Sequence, residues 1–166
     1  FNLGGTFSMN VWINPENYFW PNNNARSAMI LGGSAGCNPG NGFRFSINTV
    51  EGVDGAIGAS SGAPFVGFDT NNTVALNTWQ MVTIVVEGGT NAKMYINGDL
   101  ISSTTNANFN LFSCLTIGIH HQSNGKWYYF DGKIDDVGIW DRAISQAEVA
   151  QLYNGVIDTV SPTVTL

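Results

Sequence analysis

Apolar and polar residues alternate along "TFSMNVWIN", with Phe7, Met9, Val11 and Ile13 on one side and Ser8, Asn10, Trp12 and Asn14 on the other. Successive strand side chains point to opposite faces, so this alternation predicts a strand with one buried face. "GFRFSIN" alternates in the same way and puts Phe43, Phe45 and Ile47 together. "WQMVTIVVEG" is β-branched and apolar nearly throughout, the pattern of a central strand buried on both faces. It turns through "EGGTN" into "AKMYI". Asn97-Gly98 then tolerates the positive φ angles of a type I′ turn and predicts a hairpin back into "LISST". "CLTIGI" and "YYFDGKIDDVGIW" supply further strands, and the Gly-rich stretch 49–78 predicts short strands with bulges.

One helix is marked out in "ISQAEVAQLYNG". Ser145 as N-cap and Glu148 three residues later form a capping box, Ile144 and Val149 stand at staple positions, and Asn154-Gly155 ends the segment. So short a helix is marginal alone and must pack on the strands. The predicted fold is all-β: a two-sheet antiparallel β-sandwich (jelly roll) with one short C-terminal helix. The domain is expected over residues 1–156. Residues 157–166, with Pro162 and then alternating β-branched residues, read as a linker or the start of an immunoglobulin-like repeat. Other domains of the same polypeptide are then expected partners.

Composition narrows the function. Of 166 residues only 11% are charged, against an ordinary quarter or so, and the polarity comes from Asn, Ser, Thr and Gly. With a net charge of −6 and only six Lys and Arg, nucleic acid is not expected as a partner, because phosphate binding needs a Lys/Arg patch. No apolar run nears the roughly 18 residues of a spanning helix, so membrane insertion is not expected. Cys37 and Cys114 are outside any CxxC pair. They are either two buried thiols or one disulfide between the 33–42 loop and the strand starting at Cys114, the latter if the chain is secreted.

Three segments carry a family likeness: "FSMNVWINP", "NTWQMVTIVVEGGTNAKMYINGDLI" and "LTIGI…YYFDGKIDDVGIWDRAISQAEVAQLY". Collinear over about residues 6 to 155, they resemble the framework of laminin-G-like jelly-roll domains of the concanavalin-A-like lectin/glucanase superfamily. The resemblance implies two stacked antiparallel sheets, a concave face and loop-rich rims. In two places the sequence departs from the family. A preceding "F-D-G-x-x-D-Y-V"-like strand is absent, so either the chain is trimmed or another segment, such as the C-terminal tail, fills that edge. Gly138 stands where Arg is common.

No enzyme is predicted. Glucanases of the superfamily carry E-x-D-x-x-E, and Glu51-Gly-Val-Asp54 has the wrong spacing. Asp135 and Asp136 are adjacent on a strand, which should send them to opposite faces. An Arg/His/Tyr lyase set would have to be drawn from Arg44, His120 and Tyr128 without the accompanying strand motifs. In related jelly rolls the Asp at the Asp135 position often holds structural Ca²⁺. The resemblance therefore implies Asp135, and secondarily Asp131, as metal ligands with help from the "GCNPGNG" loop. Asp135 is expected on the core face with Val137 and Ile139.

Sugars are bound by aromatic platforms and hydrogen-bonding side chains. "HHQSNGKWYYF" offers Trp127, Tyr128, His120, His121, Lys126 and Asn124, and "PENYFWPNNN" offers Tyr18 and Trp20. Trp12 and Trp79 read as core. The sequence thus predicts a non-catalytic carbohydrate-binding (lectin-like) domain of a secreted or cell-surface bacterial protein, with polysaccharide or glycan as partner and calcium as structural ion. An adhesin, protein-interaction or spacer domain is the alternative, and a glycan-cleaving enzyme the next.

Overall fold

The computed structural model describes residues 3–18, 27–34, 42–50, 53–61, 66–69, 73–105, 109, 114–121 and 127–155. The strands are β1 (Phe7–Pro15), β2 (Ser27–Ser34), β3 (Gly42–Val50), β4 (Val53–Ser61), β5 (Val66–Asp69), β6 (Gln80–Glu87), β7 (Asn91–Ile96), β8 (Asp99–Thr104), β9 (Cys114–Ile117), β10 (Ile119–His121), β11 (Trp127–Tyr129) and β12 (Gly132–Trp140), followed by helix α1 (Gln146–Asn154). One five-stranded sheet has the order β12-β1-β6-β7-β8 and the other β5-β4-β3-β2-β9, while β10 and β11 form a ribbon of their own. Every strand pairing among the described residues is antiparallel. The predicted sandwich and helix are therefore both present. The domain boundary near residue 156 lies outside the described residues.

The period-2 stripes become the core. Phe7, Met9, Val11 and Ile13 of β1 meet Phe43, Phe45 and Ile47 of β3 and Val82, Ile84 and Val86 of β6, all buried in one cluster between the sheets. Phe7 packs edge-on against Phe43 at 5.6 Å and Phe109 at 6.4 Å. Burying each such ring stabilises the fold by roughly 2–3 kcal/mol. At the β7–β8 turn Asn97 and Gly98 have φ angles of 52° and 88°, as the hairpin motif requires. Cys114 is disulfide-bonded. Cys37, the other cysteine of the sequence, lies outside the described residues.

The opposite face of the first sheet is covered by α1. Met81, Val85 and Tyr95 pack with Ile144 and Val149, joined by Trp12, Trp140 and Ala143. Ile144 and Val149 thus meet at the staple positions. The Ser145 hydroxyl accepts from the Glu148 N–H, while the Glu148 carboxylate accepts from the Ser145 N–H at 2.7 Å. Arg142 adds a two-bond ion pair to Glu148 at 2.6 and 3.2 Å. That hydrogen-bonded pair first, and then the Ser145 contacts, pull the Glu148 carboxyl down to about 2. Gly155, at φ 65°, ends the helix in the left-handed region.

The closing strand β12 departs from simple alternation. Asn10 pairs with Gly138 but Trp12 pairs with Asp135, so Val11 faces both Asp136 and Val137 across a bulge. Asp136 occupies the bulge with φ 47°, a left-handed conformation that Asp tolerates better than most side chains. The bulge resets the phase. Ile134, Val137 and Ile139 all reach the inter-sheet core, whereas Asp135 is exposed beside Trp12 on the helix-side face. The expectation that Asp135 shares the core face with Val137 and Ile139 is therefore corrected, because strict alternation holds only while every residue is extended. Gly138 has a packing reason: a Cβ there would lie 2.5 Å from the Trp140 ring.

Two stability predictions arise from this packing. Gly138→Ala should lower stability by about 1–3 kcal/mol, as overpacking does. Gly4→Ala, where a Cβ meets nothing within 4 Å, should change it by less than about 0.5 kcal/mol. Denaturant melts of both variants check this. Glu148 has its carboxyl lowered on folding, so its contribution is complete above the unfolded value near 4.5 and is lost as pH falls through about 2. Glu148→Gln should remove that part of the acid dependence and cost at most about 1 kcal/mol at neutral pH, through the exposed ion pair with Arg142, because Gln at this position keeps the capping box. Thermal melts from pH 2 to 7 measure it.

Candidate functional site

The ribbon β10–β11 is where the sequence concentrated its candidates. Its register sets His121 opposite Trp127 and His120 opposite Tyr128. Residues opposite each other in an antiparallel ladder share a face, and consecutive pairs take opposite faces. In this register four of the six candidates form two cross-strand backbone pairs, Trp127–His121 and Tyr128–His120. Gly118, with φ 70°, makes the bend into the ribbon, and its N–H donates to the Ile30 carbonyl at 2.8 Å. That bond seats the ribbon beside β2. Asn124 and Lys126 lie outside the described residues, as do the side chains of His120, His121, Trp127 and Tyr128.

The segment after β1 is tied to the segment before β12. Glu16 N–H donates to the Asp131 carbonyl at 2.8 Å, and Asn17 Nδ2 donates to the Asp131 carboxylate at 2.6 Å. Tyr18 packs its ring against the inter-sheet core and donates its hydroxyl to the Val74 carbonyl at 3.0 Å. Tyr18 thus acts as a lid on the sandwich end, held by packing and a hydrogen bond. Trp20 lies outside the described residues.

Asp131 and Asp135, the two acids expected as calcium ligands, stand four residues apart, about 13 Å of backbone where the chain is extended. One Asp131 oxygen is engaged by Asn17, and Asp135 Oδ1 accepts the Asp136 N–H at 2.9 Å. Among the described residues no group of three or more His, Cys, Asp or Glu side chains is placed to hold a metal. The "GCNPGNG" loop lies outside them apart from its last residue, Gly42.

A site absent from the sequence reading lies on the helix-side face. Trp12, Trp79, Asp135 and Asp136 line a shallow pocket of about 170 Å³. Trp12 is held by stacking on Tyr153 of α1, ring centres 5.9 Å apart and planes inclined by 22°. Trp79, immediately before β6, is 42% exposed, which corrects its reading as core: the helix covers Met81 but stops short of Trp79. Asp135 and Asp136 were expected on opposite faces. They line one pocket because the bulge turns Asp136 out of the extended conformation. Among the described residues neither carboxylate takes part in an ion pair, and the pair found there is Arg142–Glu148. Lys133, two residues before Asp135, is exposed and does not line the pocket.

Comparison with known proteins fits this architecture. Of solved structures, the chain resembles a heptameric SAP-like pentraxin from Limulus polyphemus with a TM-score of 0.71 and 18% identity, over 92% of this chain and 70% of that one. Domain 4 of AbnA, an extracellular arabinanase from Geobacillus stearothermophilus determined with arabinotriose, gives 0.65 and 21%, over 91% and 68%. The CBM40 of the Ruminococcus gnavus IT-sialidase, bound to α2,3-sialyllactose, gives 0.70 and 14%, over 91% and 84%. No curated protein matches the sequence. A laminin-G family described as the Concanavalin A-like lectin/glucanases superfamily matches residues 1–150. With its two stacked sheets and capped helix, the chain belongs to that family.

Proposed function

We propose that this chain is a non-catalytic, glycan-binding module of a secreted or surface-exposed multidomain bacterial protein. The observation that carries this reading is the β10–β11 ribbon, separate from both sheets, with Trp127 opposite His121 and Tyr128 opposite His120. An aromatic ring offers an apolar platform to the CH face of a sugar, and imidazole donates to or accepts from its hydroxyls. The arabinotriose and sialyllactose complexes on the same jelly roll support a sugar as the ligand class. Extracellular placement draws support from the extracellular arabinanase and from the disulfide at Cys114. No described helix is long and apolar enough to cross a membrane.

Binding without cleavage is the better fit to the acids. Glycoside hydrolysis needs one carboxyl kept protonated by its surroundings and a second that attacks or activates water. Asp135 and Asp136, the adjacent acids of the helix-side pocket, are both exposed.

A polysaccharide panel and glycan array test the reading. Trp127→Ala should weaken binding at least about tenfold and shift the melting temperature by less than about 3 °C. Absence of binding across the panel would sink the lectin reading. A large loss of stability would make Trp127 a framework residue, and release of reducing ends would mark an enzyme instead. Calcium is read from melts with and without EDTA. On the calcium expectation, EDTA lowers the melting temperature of the parent chain and Asp135→Asn removes that response; an EDTA-insensitive parent chain sinks the structural ion.

A further inference from the structure

We propose that the pocket of Trp12, Trp79, Asp135 and Asp136 is a second ligand site, a subsite for a sugar bearing a free, protonated amine. The inference rests on the glycan-binding reading and extends it to a different face of the molecule, since the pocket is built from β1, β12 and the residue preceding β6 and takes nothing from the β10–β11 ribbon.

The lining selects the ligand class. Two indoles and two carboxylates share one small surface. The indole face carries negative charge density and attracts an ammonium group more strongly than the other aromatic rings do. Adjacent carboxylates with no ion-pair partner among the described residues raise the local negative potential further, and a cation between them relieves their mutual repulsion. An anionic sugar meets those same charges on a chain of net charge −6 and is repelled. The volume of about 170 Å³ suits one sugar residue, well short of the roughly 300 Å³ at which pockets for drug-sized ligands begin. An N-acetylated sugar lacks the charge and adds bulk where the ammonium would sit.

The site is held in place before any ligand arrives. Trp12 is clamped between its cross-strand neighbours Asp135 and Met81 and stacked on Tyr153. Asp135 is oriented by the Asp136 N–H. Trp79, with 42% of its surface free, supplies the open wall.

Isothermal titration with a glucosamine oligosaccharide, its N-acetylated counterpart and a galacturonate oligomer tests the proposal. The probes are titrated into the parent chain and into Trp79→Ala, Asp136→Asn and Trp127→Ala. Asn tolerates the left-handed conformation at position 136, and Trp79 is exposed, so both pocket variants should keep the parent melting temperature. The free-amine oligomer should bind the parent at least about tenfold more tightly than the acetylated one, with no heat from galacturonate. Trp79→Ala and Asp136→Asn should each abolish that preference, and Trp127→Ala should retain it. Equal binding of free and acetylated oligomers overturns the proposal, as does a preference that survives both pocket variants. If array glycans bind through Trp127 while the glucosamine oligomer does not bind, this inference falls and the glycan-binding reading stands. If no glycan binds at all, both fall.

Discussion

Strand β1 is buried on both faces, and the rest of the molecule is arranged to make that possible. One face, Phe7 to Ile13, enters the core between the sheets. The other carries Ser8 and Asn10, which are also buried. A buried polar group without a partner costs about 1–3 kcal/mol, so each needs a bond. Ser8 Oγ donates to the Arg142 carbonyl at 2.8 Å and accepts the Ile144 N–H at 3.0 Å. Asn10 Oδ1 accepts the Thr83 hydroxyl at 2.6 Å. The Ser8 bonds fasten the segment leading into α1 onto the sheet. That anchoring brings Ile144 and Val149 over Met81 and Val85, so the helix and the second face of β1 stabilise each other.

The bulge in β12 links this packing to a site. Without the extra residue, Ile134 and the pair Val137 and Ile139 could not all face the core. With it, the left-handed residue Asp136 is placed at the surface next to Asp135 and opposite Val11. The same irregularity that lets the closing strand keep its apolar side inward sets two carboxylates beside Trp12. A stretch that the family framework presents as structural therefore also builds a surface with chemistry of its own. The ribbon β10–β11 has its own ladder but lies against β2, to which the Gly118 N–H is bonded through the Ile30 carbonyl.

Much of the fold was legible because its signals are local or strictly periodic. The stripes of β1 and β3, the two-face burial of β6, the Asn97-Gly98 turn and the Ser145–Glu148 box each need only a few neighbouring residues to be recognised. Trp79 was misread because it borders the most apolar strand of the chain, and nothing in "NTWQMV" says where a helix some seventy residues later will stop covering that strand. Asp135 and Asp136 were misread because alternation assumes unbroken extended backbone. Asp-Asp followed by Val-Gly is compatible with a bulge but does not require one.

By itself the amino-acid pattern determined the class of fold, the apolar stripes of β1, β3 and β6 in the inter-sheet core, the hairpin turn and the capped helix, because side-chain periodicity and backbone preference act at short range. Which strand face α1 covers, where that cover ends and how β12 changes phase against β1 were decided only by the tertiary structure. These depend on contacts between residues roughly fifty or more positions apart. The pocket of two tryptophans and two aspartates exists only once those contacts are made.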